Sequence, residues 1–443
     1  MRRSSPLGTG RKRPRVVIVG GGFAGLEAVR GLREAPVEVL MIDRTNYHTF
    51  QPLLYQVATA GLEPGEIAHT VRGIFQTHPR FRFRMGTVTT VDADTKRLRL
   101  SSGEAIGYDY LIIAAGAEPE FFGVEGAKQH AFTLKTLGDA TRLRSHLLRQ
   151  FERAAERRSA PSAGRLNVVI VGGGPTGVEM AGALVELIDN VLAADFPEVD
   201  TSRAQVSLVE MAPHLLGGYD ASLRDYTLDT LRERGVEVVL DDAVERVAAQ
   251  AVHFESGRIL PTGTLIWAAG VRARPLADTL GAKQTRGGRV RVASDLSLPG
   301  ASDTFVVGDM AAATDSEGRP YPQLAPVAVQ QGRHAARQIQ RRLDDEAPKT
   351  FTYDDPGMMA VIGRKAAVVQ RPGGFTATGW LAWVLWAVLH IWELIGFRNR
   401  LVVMLDWIYN YFTYDRSARL IFEGGEESST PMHQSAKSHG QRV

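Results

Sequence analysis

The sequence predicts an α/β protein with two Rossmann-like dinucleotide-binding domains, and two observations carry that prediction. The string VVIVGGGFAGLEAV begins at Val16, and VVIVGGGPTGVEMA begins at Val168, 152 residues later. The string LIIAAGAEP begins at Leu111, and LIWAAGVRA begins at Leu265, 154 residues later. Two motifs recurring in one order at nearly one spacing mark two copies of a single unit.

Each copy contains the parts such a unit needs. Val16 to Val19 is a short apolar run rich in β-branched residues, as a buried parallel strand requires. Gly20, Gly22 and Gly25 follow in GxGxxG spacing. The first permits a tight turn, the second lets the backbone approach a pyrophosphate, and the third lets the helix pack on the strand. The helix N-terminus then presents unpaired N–H groups to phosphates. A second strand, VEVLMID, ends in Asp43, whose carboxylate can accept hydrogen bonds from ribose hydroxyls. The second copy repeats the pattern with Gly172, Gly174 and Gly177, with Pro175 in the first helical turn. Its strand AQVSLVE ends in Glu210. An acid there favours NAD(H), because it repels the 2′-phosphate of NADP(H). A lone GxGxxG says little, but two copies with strand, helix and acid in order say much more.

At 443 residues the chain accommodates two or three domains. Its net charge of +3 is small, so the distribution of charge matters more than the total. The first fifteen residues, MRRSSPLGTGRKRPR, carry six Lys/Arg and no acid. With no apolar core they do not read as a secretory signal, and they are expected to form a disordered basic tail attracted to anionic membrane surfaces. The chain has no cysteine. That excludes disulfides, thiolate metal sites, cysteine nucleophiles and redox-active cysteine pairs. The histidines show no metal-ligand spacing, and neither a metal site nor a nucleic-acid partner is expected.

A third motif, TFVVGDMA, runs from Thr304 to Ala311. It resembles the second FAD motif of two-dinucleotide flavoproteins, where an apolar strand ends in Gly-Asp. The resemblance implies that Asp309, after Gly308, binds the ribityl chain. It also implies that the first domain holds FAD, against Gly20, Gly22, Gly25, Asp43, Arg44, Ala115, Gly116, Gly308, Asp309 and Gln330. The inserted second domain would hold NADH, against Gly172, Gly174, Gly177, Glu210 and Gly270. The expected organisation is a tail over 1–14, FAD domain over 15–125 and 285–350, NADH domain over 126–284, a strand and membrane-anchor region over 351–422, and a disordered tail over 423–443.

Many two-dinucleotide flavoproteins pass electrons to a cysteine pair, which this chain lacks, so its acceptor must reach the flavin directly. Three stretches sharpen that point: NYHTFQPLLYQVATAGLEP from Asn46, LAPVAVQQGRHAA from Leu324, and MMAVIGRKAAVV from Met358. With the tryptophan-rich C-terminus they resemble type II NADH dehydrogenases, single-subunit NADH:quinone oxidoreductases that pump no protons and attach to one face of a membrane. The resemblance covers roughly residues 14 to 422. It implies hydride transfer from NADH to FAD and two-electron transfer to a lipid quinone.

It also implies roles for single residues. Glu179, closing GGGPTGVE, matches a glutamate near the flavin that assists proton or quinone chemistry; the alternative is a helix glutamate favoured by the N-terminal dipole, as its counterpart Glu27 suggests. The family's Ala-Gln-x-x-x-Gln quinone motif reads Ala325 to Gln330 here, with Pro326 replacing the first glutamine. Proline suits a first helical turn, but one amide is lost at the quinone pocket, and Gln331 or Gln323 are possible substitutes. Lys365 matches a lysine that stabilises developing quinol charge; a surface lysine on a strand is the alternative. His48, Phe50, Gln51 and Leu53 match the loop beside flavin and quinone, unless the apolar run is simply core.

The stretch GWLAWVLWAVLHIWELIGF, Gly379 to Phe397, holds four of the chain's six tryptophans. A membrane span needs ~20 predominantly apolar residues, and His390 and Glu393 interrupt this one. Arg398, Arg400, Arg416 and Arg419 flank the apolar and aromatic runs. The pattern suits an interfacial anchor over 379–422; a buried or homodimer helix and a true span are the other readings. The expected place is the cytoplasmic face of the cell membrane, as a peripheral protein. Two other functions stay open at this point. One is a soluble NADH-dependent reductase of a small acceptor, and the other is a redox-sensing interaction protein resembling apoptosis-inducing factor.

Overall fold

A computed structural model describes residues 13–156, 164–413, 416 and 418–422. The tails expected over 1–14 and 423–443 lie outside those residues, apart from 13 and 14.

Four strands open the chain: β1 (Arg15–Val19), β2 (Glu38–Asp43), β3 (Phe81–Met85) and β4 (Tyr110–Ile113). Five belong to the second copy: β5 (Ala131–Thr133), β6 (Val168–Val171), β7 (Val206–Val209), β8 (Glu237–Val239) and β9 (Thr264–Trp267). Then β10 (Ser297–Leu298) and β11 (Ala301–Val306) return to the first sheet. That sheet runs β10-β11-β4-β1-β2-β3, with β11 joining β4 in parallel. The second runs β5-β9-β6-β7-β8, parallel throughout. Parallel strands covered on both faces must be apolar in every position; all four residues of β6 are buried, as are Val16 to Val19 of β1.

Seven helices concern the site: α1 (Phe23–Gly31), α2 (Leu54–Ala58), α3 (Leu137–Glu156), α4 (Pro175–Leu187), α5 (Ala325–Leu343), α6 (Gly379–Glu393) and α7 (Phe397–Thr413). Two glycines set how closely they approach their neighbours. A Cβ on Gly332 of α5 would lie 2.1 Å from the Ala24 carbonyl oxygen, so α5 packs directly on the backbone of α1. A Cβ on Gly182 of α4 would lie 1.7 Å from the Ile362 carbonyl oxygen. Ile362 belongs to the antiparallel unit β12 (Met358–Gly363), β13 (Ala366–Gln370) and β14 (Thr376–Thr378), which therefore rests on the backbone of α4.

The tryptophan-rich stretch does not form one helix. α6 stops at Glu393 after 15 residues, and Gly396 turns the chain at φ +86° before α7 begins. No described helix is long and apolar enough to cross a membrane. Ala382 and Trp386 of α6 are buried against β13, while Trp380, Leu381, Val388 and Trp392 are exposed.

Candidate active site

The two glycine loops share one geometry. Gly20 sits at φ +109°, and a Cβ there would lie 2.2 Å from the Ala114 carbonyl oxygen. Gly172 repeats this at φ +114°. A Cβ on Gly22 or Gly174 would meet nothing within 4 Å, which leaves room for a phosphate. The strand-end acids brace these loops: Asp43 Oδ2 accepts from the Gly21 amide at 2.6 Å, and Glu210 Oε2 accepts from the Gly173 amide at 2.6 Å.

The first loop opens into a cavity of about 450 Å³. Gly20, Gly22, Asp43, Arg44, Ala115, Gly116, Gly308 and Asp309, all expected at the FAD site, line it. Gly270 lines it too, so the second copy faces the same space. Gly25 instead closes the contact of α1 with the loop, its Cβ position 1.9 Å from the Gly20 carbonyl oxygen. Gly172, Gly174, Gly177 and Glu210 lie outside this cavity, at the second loop. The turn after β11 is tied down from two sides: Gln331 Oε1 accepts from the Gly308 amide at 2.7 Å, and Gln323 Nε2 donates to the Asp309 carbonyl at 2.9 Å. Leu324, Ala325 and Ala328 bring the N-terminus of α5 to the cavity, where its unpaired amides favour negative charge.

His48 lines the same cavity and donates through Nδ1 to the Gly21 carbonyl at 2.9 Å. Burial holds its pKa down to about 4, so the ring is neutral and Nε2 keeps a free lone pair. Gln51 also lines the cavity. Phe50 and Leu53 do not: they are core residues behind it. Pro326 and Gln330 are not in the lining either. Helical phase explains this, because 325 and 328 share the cavity face while Gln330 turns away. Gln330 exchanges two hydrogen bonds with the Asp354 backbone, at 2.7 and 3.0 Å. Lys365 is likewise placed elsewhere, exposed in the β12–β13 turn at φ +61° rather than on a strand; its neighbour Arg364 lines a cavity.

That cavity, of about 130 Å³, lies between α2, α4, the β12–β13 turn and helices α6 and α7. Trp386 stacks on Trp407 at 5.2 Å and on His390 at 4.3 Å. Trp407 donates to Gln56 at 2.8 Å, and Gln56 donates to the Tyr55 hydroxyl at 2.9 Å. The Trp386 indole N–H is buried and has no partner among the described residues. The flanking-arginine pattern places Arg416 and Arg419 at a membrane surface, but the structure does not. Arg416 donates to the Thr59 carbonyl at 2.7 Å and pairs with Glu186, while Arg419 pairs with Asp195 at 3.0 Å.

Glu179 lines both cavities. Burial pushes its pKa up to about 8, against a smaller opposing effect of the Val361 amide that hydrogen-bonds to it. No guanidinium or ammonium group pairs with it among the described residues, so at neutral pH it holds a proton between the two spaces. The alternative of an ordinary exposed helix glutamate does not describe it.

Sequence reasoning missed several lining residues. Lys135 Nζ pairs with Asp309 at 3.3 Å, and Arg274 and Trp267 line the larger cavity. Tyr55, Trp386, Trp407 and Arg416 build the smaller one. The tryptophan count was the only signal available for the latter. Among the described residues no cluster of His, Asp or Glu could hold a metal ion.

Two dinucleotide folds sharing one cavity, the second inserted in the first, define a pyridine-nucleotide-dependent oxidoreductase. Comparison with known proteins agrees: residues 14–332 match the pyridine nucleotide-disulphide oxidoreductase family, and residues 356–414 match the NDH2 C-terminal domain. The chain is 36% identical to the type II NADH:quinone oxidoreductase Ndh of Mycobacterium tuberculosis, covering 98% of this chain and 96% of that one. It is 37% identical to NdhA of the same organism, over 89% of this chain and 86% of that one. The solved structure of NDH2 from Plasmodium falciparum in complex with NADH superposes with a TM-score of 0.83 at 19% identity, covering 93% of this chain and all of that one. The chain belongs to the type II NADH:quinone oxidoreductases.

Proposed function

We infer that this chain oxidises NADH and reduces a quinone, with FAD held in the larger cavity. The observation that carries the reading is the position of Glu179, a carboxyl that lines both a nucleotide cavity and an aromatic one and has no cationic partner among the described residues. When bound, FAD supplies acceptance of the NADH hydride and onward delivery of two electrons. The residues fit it: Gly22 leaves space for a phosphate, Asp43 would accept hydrogen bonds from a ribose, and Asp309, paired with Lys135, lines the same cavity.

The chain's own residues then divide the work. The second loop and Glu210 hold NADH so that its nicotinamide end reaches Gly270 in the shared cavity. The α5 N-terminus, lining the cavity through Leu324, Ala325 and Ala328, would favour negative charge on a ring bound there. A quinone ring enters the smaller cavity, where the Trp386 N–H offers an unmet donor to its carbonyl oxygen. Reducing a quinone to quinol by two electrons adds two protons: one is carried in with the hydride that NADH gives up, and Glu179 would supply the other and be reprotonated from solvent. This pocket differs from the one expected around His48, Phe50, Gln51, Leu53, Pro326 and Gln330, of which His48 and Gln51 line the larger cavity.

We also place the enzyme on a membrane surface, on the cytoplasmic face where NADH is held. The exposed face of α6 and α7, with Trp380, Trp392, Leu405 and Ile408, suits an interface rather than a span. A homodimer would cover the same face, and sizing in the absence of lipid separates the two. The deciding assay mixes FAD-loaded protein with NADH and a water-soluble quinone. The flavin should bleach with NADH and recover its colour with quinone; a flavin that quinone leaves reduced would overturn the acceptor assignment.

A further inference from the structure

A third concavity, of about 380 Å³, lies at the C-terminal end of α1 and shares no lining residue with the two cavities above. Arg30, Arg33, His69, His78, Ile395 and Gly396 line it. His78 is only 5% exposed. Its Nδ1 accepts from the Arg80 amide at 3.3 Å, which puts the ring proton on Nε2. That N–H is buried with no partner among the described residues. His69 Nε2 is also buried, with no partner among the described residues. A buried donor without an acceptor is costly, and it points to a ligand that accepts hydrogen bonds.

The charge around these rings has the matching sign. Arg33 is held toward the site by Thr77, at 3.3 Å to its carbonyl. Its nearest acid, Glu34, is 3.7 Å away with a side chain 90% exposed, so solvent weakens that pair. Arg30 and Arg333 share the single carboxylate of Glu27, leaving one positive charge in excess. The ligand should therefore be an anion with several acceptor oxygens.

The cavity's position narrows its source. Ile395 and Gly396 form the turn between α6 and α7. Beside that turn Trp392 is 72% exposed, with the Arg400 guanidinium 5.5 Å from its ring centre. Tryptophan and arginine are the residues that settle among lipid headgroups. We propose that this cavity binds a phosphate group, that of an anionic phospholipid headgroup, and so sets the depth and orientation of the enzyme on its membrane. The inference rests on the membrane-surface reading above.

The test uses full-length, FAD-loaded protein at physiological salt. Binding to phosphatidylcholine vesicles is compared with binding to vesicles that also contain phosphatidylglycerol. Wild type should prefer the anionic vesicles by about tenfold. Arg33→Gln, and Arg33→Gln combined with His78→Gln, should lose most of that preference while binding phosphatidylcholine as before. Arg97→Gln removes one exposed charge elsewhere and should lose little. If the cavity variants and Arg97→Gln behave alike, only general electrostatics act and the proposal falls. Arg33→Gln keeps the test valid should the double variant not fold. A soluble arm, dihexanoyl phosphatidylglycerol against inorganic phosphate with melting temperature as readout, does not need vesicles. If wild type binds no vesicle, the membrane reading fails, and the soluble lipid still decides whether the cavity holds a headgroup. Equal stabilisation by inorganic phosphate, lost in the variants, would reassign the site to free phosphate and overturn the lipid.

Discussion

Glu27 and Glu179 occupy the same position in the two copies of the nucleotide-binding unit, yet their surroundings make them opposite kinds of residue. Glu27 has Arg30 one turn later on its own helix and Arg333 across from it at 2.6 Å. Glu179 has Gly182 one turn later. The missing side chain admits the backbone of Ile362, and the adjacent Val361 amide caps the carboxyl while the strand buries it. The duplicated fold thus supplies two equivalent carboxyls. A single position, arginine in one copy and glycine in the other, decides which is a structural ion pair and which can carry a proton.

The largest effect should come from refilling that position. Gly182→Ala places a methyl 1.7 Å from the Ile362 carbonyl oxygen, so β12 must shift. Overpacking of this kind costs ~1–3 kcal/mol, and it should appear as a lower denaturant midpoint. Lifting β12 also lets water reach Glu179, so quinone turnover should fall along with stability. A variant as stable and as active as wild type would mean that the approach of β12 is not what sets Glu179 apart.

Next in size is the direct exchange of the two acids. Glu179→Gln should lower quinone turnover ~100-fold or more, the scale of a lost proton donor, while flavin bleaching by NADH in stopped flow stays close to wild type. Glu27→Gln should leave quinone turnover nearly intact and chiefly reduce the melting temperature. Equal turnover losses in the two variants would erase the distinction drawn above.

A smaller effect follows from the proton itself. Folding raises the Glu179 pKa from 4.5 to about 8, so between those values the folded chain holds a proton that the unfolded chain has released. Stability contributed by this group is therefore greatest at low pH, falls as pH rises through that window, and levels off above it. The melting temperature of Glu179→Gln relative to wild type should accordingly climb from about pH 5 to about pH 8. Quinone turnover of wild type should decline above about pH 8, where the carboxyl is no longer an acid. A difference in melting temperature that does not change with pH would place the raised proton affinity elsewhere.

The parts of this molecule legible in the sequence are those written over short distances. Gly20, Gly22 and Asp43 lie within one strand–turn–helix–strand unit, and the structure brings all three to one cavity. Gln330 and Gln331 show where that legibility ends. Adjacent on a helix, they point about 100° apart, and which of them faces Gly308 is set by the packing of Gly332 on Ala24, which joins segments some three hundred residues apart. Lys365 reads as a strand residue, yet the tight reversal between β12 and β13 falls on it. The aromatic cavity was illegible for the same reason: α2, α4, β12 and α6 to α7 each contribute a few residues, and no one stretch contains the pattern. The tryptophans announced an unusual segment, but which ones face inward is set by packing on β13.

The smallest expected effect concerns the strand-end acids, where the two copies are alike. Glu210 braces the second loop through the Gly173 and Ala212 amides, at 2.6 and 2.9 Å, as Asp43 braces the first. On the proposed reading, a nicotinamide dinucleotide on that loop would bring its adenosine ribose toward Glu210, and a 2′-phosphate would meet a carboxylate already committed to two amides. Glu210→Ala removes the repulsion and the brace together. The preference for NADH over NADPH in kcat/KM should relax by about tenfold, the size of a single charge–charge repulsion, and KM for NADH should rise because the loop is less ordered. Glu210→Gln keeps an amide oxygen for one brace and should relax the preference with a smaller rise in KM. If both variants keep the wild-type ratio, discrimination lies in residues beyond the strand end, and the likeness of the two copies at this position is one of structure alone.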